Sequence, residues 1–360
     1  MRVKPTYVLA LFIPAAVVLE IVHASPTVIF ITAALGVIPT AALMGKATEE
    51  IAAQTGPGIG GFLNVTFGNA PELIIAFFAL REGLQEVVKA SIAGSIIGNI
   101  LLVLGASMLV GGLKREKQTF NVTAAQAQSA MLLLAMVALV LPAVFQLVNG
   151  GGLPSVSEER VDFGTDLEHL SFAVAIILLV TYAAGLLFSL RTHKSMFNPH
   201  SDEVHEHKWS IRRSVGMLAL AGAGVGLMSE ILVGSISEAS ESIGLSEFFV
   251  GVFIVAIVGN AAEHWVAVLV AAKNKMDLAV NIAVGSSAQI ALFVAPVLVL
   301  LSFFVGPAPL ALVFNGYELA GMLFAVLIAN YLTAEGESNW FEGVQLLAVY
   351  AVLGVVFFYA

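Results

Sequence analysis

The feature that most constrains this chain is the length of its uncharged stretches. Eleven apolar runs follow one another, at 7–23, 27–47, 58–80, 86–113, 125–148, 167–190, 214–235, 247–271, 277–305, 310–332 and 340–359. A helix needs about 20 apolar residues to cross a bilayer. A transmembrane barrel would instead show alternating segments of about 10 residues. These runs are longer and apolar on every side, so they read as helices. Charged residues make up 11% of the chain and hydrophobic residues 59%. Soluble chains carry about 25% charged residues, so this one could not cover a soluble surface. That excludes a soluble enzyme, a disordered chain and a nucleic-acid binder. With no cysteine there is no disulfide and no thiolate metal site. Arg2 and Lys4 precede the first run, and Val22-His23-Ala24 could pass for a cleavage site. Glu20 in the last turn argues against cleavage, and the run reads as a retained helix.

Eleven spans place the termini on opposite sides. Thirteen of the 16 Lys and Arg residues fall in the loops and flanks of the N-terminal side, leaving Arg81, Lys89 and Arg160 for the other. Cytoplasmic loops are enriched in Lys and Arg. The expectation is an integral membrane protein, of the cell membrane in a bacterial-type cell, with its N-terminus cytoplasmic and its C-terminus outside. The polar stretch 192–209 holds His193, His200, His205 and His207 with Asp202, Glu203 and Glu206. It reads as a solvated cytoplasmic linker.

A five-residue motif is duplicated. Gly68-Asn69-Ala70-Pro71-Glu72 returns as Gly259-Asn260-Ala261-Ala262-Glu263, an offset of 191 residues (259 − 68). The same offset carries Gly94-Ser95 onto Gly285-Ser286. An acidic residue also stands one span upstream of each motif, Glu49 in one half and Glu230 in the other. Five spans per copy is an odd number, so the second copy is inserted upside down. Inverted repeats are a transporter device, with the site at the repeat interface near the midplane. The expected fold is therefore an all-α polytopic membrane protein of eleven transmembrane helices. A leading helix (1–24) precedes two inverted five-helix repeats (25–191 and 210–360), joined by the 192–209 linker.

Glu72 and Glu263 lie inside apolar runs, where a charge costs about 2.5–3.5 kcal/mol on insertion scales. Something must bind such a carboxylate, or it must hold a proton. In each motif an Asn precedes the Glu by three residues, which puts Asn69 with Glu72 and Asn260 with Glu263 on shared helix faces. Gly68, Gly259 and Pro71 loosen the backbone ladder and free carbonyls. Carboxylate, amide oxygen and carbonyl form an all-oxygen set, and two copies supply the 6–8 hard ligands that Ca²⁺ takes. Zinc is disfavoured, because Cys is absent and no His pair accompanies the motif. His264 is turned about 100° from Glu263 on a helix and reads as a proton-handling neighbour. Ser95 and Asn99 share one face in the first half, and Ser286 and Gln289 share one in the second. They are candidate linings of the ion path. Glu49 and Glu230, nearer the membrane ends, are candidate access or proton-binding carboxylates.

These residues resemble the cation/proton exchanger (CAX) family of the calcium/cation antiporter superfamily. The most specific stretch is GNAAEHWVAVLVAAKNKMDLAVNIAVGSSAQ. The likeness runs from the Glu49 region to Ser338-Asn339-Trp340-Phe341-Glu342-Gly343. It implies the family's eleven-helix fold and export of Ca²⁺ from the cytosol in exchange for H⁺. It also implies cation binding by Glu72 and Glu263, and a polar lining that includes Ser286 and Gln289. Ca²⁺ and protons are then substrates, with no cofactor, no nucleic acid, the bilayer as surroundings and homo-oligomerisation left open.

The expected mechanism is competition at one carboxylate pair. Ca²⁺ needs both Glu residues ionised, and without it two like charges at low dielectric favour protonation. Two rivals remain. A Na⁺/Ca²⁺ exchanger would use hydroxyl oxygens, but the motif positions that could supply them are Ala70 and Ala261. A divalent cation channel would need a continuous pore with weak multi-site binding.

Overall fold

The computed structural model describes residues 8–156, 164–192 and 209–360. Arg2, Lys4, Arg160 and nearly all of the 192–209 linker, including its four His residues, fall outside them. Among the described residues the chain forms α1 (Phe12–Ile21), α2 (Pro26–Gly68), α3 (Ala70–Arg81), α4 (Gln85–Gly112), α5 (Val122–Val148) and α6 (Thr165–Thr192). There follow α7 (Ile211–Gly234), α8 (Ile236–Ile243), α9 (Glu247–Ala272), α10 (Met276–Ser302), α11 (Gly316–Thr333) and α12 (Trp340–Phe358). Two short strands, β1 (Gln118–Thr119) and β2 (Glu337–Ser338), pair antiparallel.

Nine helices among the described residues are long and apolar enough to cross a membrane, with α1 a shorter apolar helix. The count of eleven drawn from hydropathy is not reproduced as eleven separate helices, and the difference lies at 26–81. Hydropathy separates spans at 27–47 and 58–80, whereas helical hydrogen bonding runs from Pro26 to Gly68. That run is not straight. A β-carbon on Gly60 would come within 2.4 Å of the Ala52 carbonyl oxygen. Eight residues of straight helix would separate them by about 12 Å, so Ala52 and Gly60 do not lie on one straight helix. Helical hydrogen bonding then breaks at Asn69, and no single long helix covers 58–80.

Packing divides the chain into two compact units, and each draws on both sequence halves. The first takes residues 1–78, 183–245 and 258–262; the second takes 79–182, 246–257 and 263–360. In the first unit α2 packs along α7 through buried Met44, Ala221 and Val225. Near one end, Glu50 of α2 accepts the Trp209 backbone N–H at 3.0 Å, and Lys46 stacks its ammonium 4.8 Å from the Trp209 ring centre.

In the second unit small residues let backbones touch, as is common between membrane helices. Gly94 of α4 lies against the Val252 backbone of α9, and Gly343 of α12 against Gly105 of α4. The loops that alternating spans assign to one side meet there. Arg115 donates to the Ala272 carbonyl at 3.3 Å, and buried Gln118 donates to the Ala271 carbonyl at 3.0 Å. Lys117 pairs with Glu337 at 2.7 Å. At the opposite helix ends a different set meets. Gln85 donates to the Ala308 carbonyl at 2.7 Å, and buried Lys89 pairs with Glu86 and donates to the Val313 carbonyl at 3.1 Å. The Leu312 N–H reaches the Ser171 hydroxyl at 2.9 Å. Leu310–Phe314 is buried without being helical. Its backbone groups thus find side-chain partners from several helices, as buried irregular backbone must.

Candidate functional site

The two motif copies fold differently. In the first, α2 ends at Gly68, with Asn69 as its C-cap at φ −95° and ψ 16°. The Leu73 N–H then returns to the Asn69 carbonyl at 3.2 Å, so a new helix starts there. Glu72 falls in the first turn of α3, where the positive end of the helix dipole favours an anion. In the second copy α9 runs unbroken through Gly259, Asn260 and Glu263. The ladder loosens earlier, in the π-helical turn Val250–Val255. Pro71 accounts for the asymmetry. It fits an early position of a helix and not its interior, and its counterpart Ala262 can continue one. The freed backbone expected of both motifs is thus seen at the first alone.

In the first unit Glu72, Asn69 and Asn260 are all buried. The Glu72 side chain lies against Gly259 of the other motif: a β-carbon there would be 3.3 Å from Cγ and 3.6 Å from Oε1. Gly259 stands one helical turn before Glu263 on α9 and shares its face. In the second unit half-buried Glu263 accepts a hydrogen bond from the Ser286 hydroxyl at 2.7 Å. The two carboxylates are therefore supported in different ways, Glu72 by a helix start and Glu263 by a hydroxyl. His264 donates from Nε2 to Oδ1 of buried Asn99 at 3.0 Å.

Asn99 belongs to the π-helical turn Gly98–Val103, and Gln289 immediately precedes the π-helical turn Ile290–Val294. Such turns recur at functional sites, and hydropathy gives no sign of them. Ser95 is buried and Gln289 half-buried. Glu49 and Glu230 are both exposed on their helices, and the buried carboxylate at that level of α2 is the neighbouring Glu50. One residue of helix turns the side chain by about 100°, so hydropathy could not tell Glu49 from Glu50. Among the described residues no three His, Cys, Asp or Glu side chains converge. A cation held here would rely on few carboxylates and on neutral oxygens.

The family sequence model described as "Sodium/calcium exchanger protein" matches residues 25–191 and 213–359. A Ca(2+)/H(+) antiporter of Aphanothece halophytica is 45% identical over 98% of this chain and 95% of its own length. The Ca(2+)/H(+) antiporter ChaA of Bacillus subtilis is 44% identical over 96% of each chain. The solved structure of native YfkE superposes with a TM-score of 0.82 at 42% identity, covering 99% of this chain and 100% of that one. With matches of this depth along nearly its whole length, this chain belongs to the sodium/calcium exchanger protein family.

Proposed function

We propose that this protein is a secondary active transporter, and not an enzyme, that exports Ca²⁺ from the cytosol in exchange for H⁺. Glu72 and Glu263 form one cation site in this reading, with oxygens of Asn69 and Asn260 and of the backbone at Gly68 and Gly259 completing it. Ser286 orients Glu263. Ser95, Asn99, Gln289 and His264 line the route by which ions or protons reach it, and Glu49 and Glu230 sit where water can load them. The observation that carries the reading is the placement of Glu72 against Gly259, one turn from Glu263 on the same helix. It is supported by the two closely related proteins that bear the name Ca(2+)/H(+) antiporter.

The chemistry follows from charge balance. Ca²⁺ neutralises two carboxylates, and when it leaves, protons replace it. If only the loaded forms change access, exchange is obligatory. The two halves, 25–191 and 210–360, act as inverted repeats, so one half-path faces each side in turn. The side bearing β1 and β2 is the cytoplasmic one, by its excess of Lys and Arg, in the cell membrane of a bacterial-type cell. Two protons per Ca²⁺ would be electroneutral. A third would draw on about 2.3 kcal/mol per 100 mV of membrane potential.

Flux in sealed vesicles tests the reading. An imposed pH gradient should drive Ca²⁺ uphill, and a Na⁺ gradient of equal size should not. Uphill Ca²⁺ movement driven by Na⁺ alone would replace this reading with Na⁺/Ca²⁺ exchange. Strictly downhill movement would replace it with a channel.

A further inference from the structure

Away from the duplicated motif, one polar contact lies within two apolar helices. Gln128 of α5 donates through Nε2 to Oδ1 of Asn281 on α10. Neither residue is at a helix end: Gln128 is six residues in from Val122, and Asn281 five in from Met276. At 1.5 Å per residue that is roughly 8 Å into each helix. Asn281 is nevertheless exposed, and Gln128 half-buried. An exposed amide at such depth is costly against lipid and belongs on a water-filled cavity.

The pair leads somewhere. A β-carbon on Gly285 would sit 3.5 Å from Oδ1 of Asn281 and 3.5 Å from both amide atoms of Gln128. The glycine thus leaves the amides lying on bare helix backbone. The next residue is Ser286, whose hydroxyl reaches Glu263 at 2.7 Å. Asn281, Gly285 and Ser286 therefore follow one another along α10 toward the Glu263 carboxylate of α9, with Gln128 of α5 beside the first of them. The series starts near Met276, just past the loop residue Asn274 that Gln118 of β1 holds at 3.0 Å.

We propose that Gln128 and Asn281 form an outer binding point for the transported divalent cation on the side of β1 and β2, one step before Glu263. The proposal rests on the exchange reading above. Two neutral amide oxygens suit a hard, partly hydrated ion. Without a carboxylate they hold it weakly, so that it can move on to Glu263. When the oxygens turn to the ion, the bond between the amides opens; when the ion leaves, it closes again.

The chain has no cysteine, so Asn281→Cys introduces a single thiol. In vesicles of known orientation, a membrane-impermeant methanethiosulfonate added on the β1–β2 side should label it, and added on the other side should not. Ca²⁺ should slow the labelling. Gln128→Leu should raise half-saturating Ca²⁺ for transport from the β1–β2 side about tenfold. The maximal rate and half-saturation from the opposite side should not change, and Gln128→Glu, which keeps an oxygen and adds a charge, should bring half-saturation on the β1–β2 side back to the unsubstituted value or below it. Labelling from neither side, labelling that Ca²⁺ does not slow, or equal changes in half-saturation on both sides would overturn the proposal. If the unsubstituted protein moves no Ca²⁺ against a pH gradient, the exchange reading fails instead. Thiol protection by Ca²⁺ is read without transport and keeps the two failures apart.

Discussion

Gly259 controls how closely the Glu72 side chain approaches α9. A methyl group at Gly259 would lie 3.3 Å from Cγ of Glu72, tighter than ordinary contact, so the carboxylate would have to shift by a few tenths of an ångström. At Gly316 of α11, away from both motifs, the nearest contact would be Leu153 at 4.0 Å, an ordinary one. Gly259→Ala should therefore raise half-saturating Ca²⁺ severalfold while Gly316→Ala stays near the unsubstituted protein. Equal effects would mean that Glu72 is not held by this contact. Glu72→Gln and Glu263→Gln keep shape and an oxygen but remove the charge that balances Ca²⁺. Each should abolish exchange while the protein still inserts and elutes as a folded species; near-normal flux from either would remove that Glu from the cation site. At this scale much was legible in the sequence, because a carboxylate in an apolar run has few explanations and a duplicated one fewer. The hydroxyl that serves Glu263 was anticipated only as a lining residue. Gln128 and Asn281 were missed, since a lone amide in a long helix differs little from a packing residue until its partner on another helix is known.

The helices α4 to α12 largely follow the hydropathy runs, because length and apolarity alone decide them. The departures occur where packing or a single residue type overrides hydropathy. The approach of Gly60 to Ala52 departs from a straight helix, and Pro71 starts a helix where its counterpart Ala262 continues one. The π-helical turns beside Asn99 and Gln289 cannot be read from composition. Where helix backbones touch, as at Gly94 and Val252, the approach follows from a missing side chain, and its partner is not visible in the sequence. The sequence places Lys89 among the loop or flank charges of the sparsely basic side, yet it is fully buried and ion-paired to Glu86. Removing one partner of a buried pair typically costs about 3–5 kcal/mol, because the other charge is left uncompensated. Lys89→Met should therefore lower the melting temperature measured in detergent. Lys89→Met combined with Glu86→Gln should recover much of the loss. An unchanged melting temperature for the single variant would show that the pair carries no such strain.

Across the whole molecule, sequence order and packing order differ. The duplication divides the chain at the linker, whereas each compact unit is built from pieces of both halves. Hydropathy and the repeat could not show this, because neither carries information on which helix packs against which. The β1–β2 pair is a small instance, joining Gln118 to Ser338 across 220 residues (338 − 118).

Interleaving of this kind separates covalent continuity from cohesion. Each unit joins three polypeptide segments, drawn from both sequence halves, that would stay together without peptide bonds between them. A gene cut within the codons for 193–208 should yield two fragments, each useless alone, that assemble when made in one cell. A tag on the first should then recover the second, and the assembled pair should regain pH-driven Ca²⁺ flux. Recovery of the tagged fragment alone would show that the linker supplies the local concentration on which assembly depends.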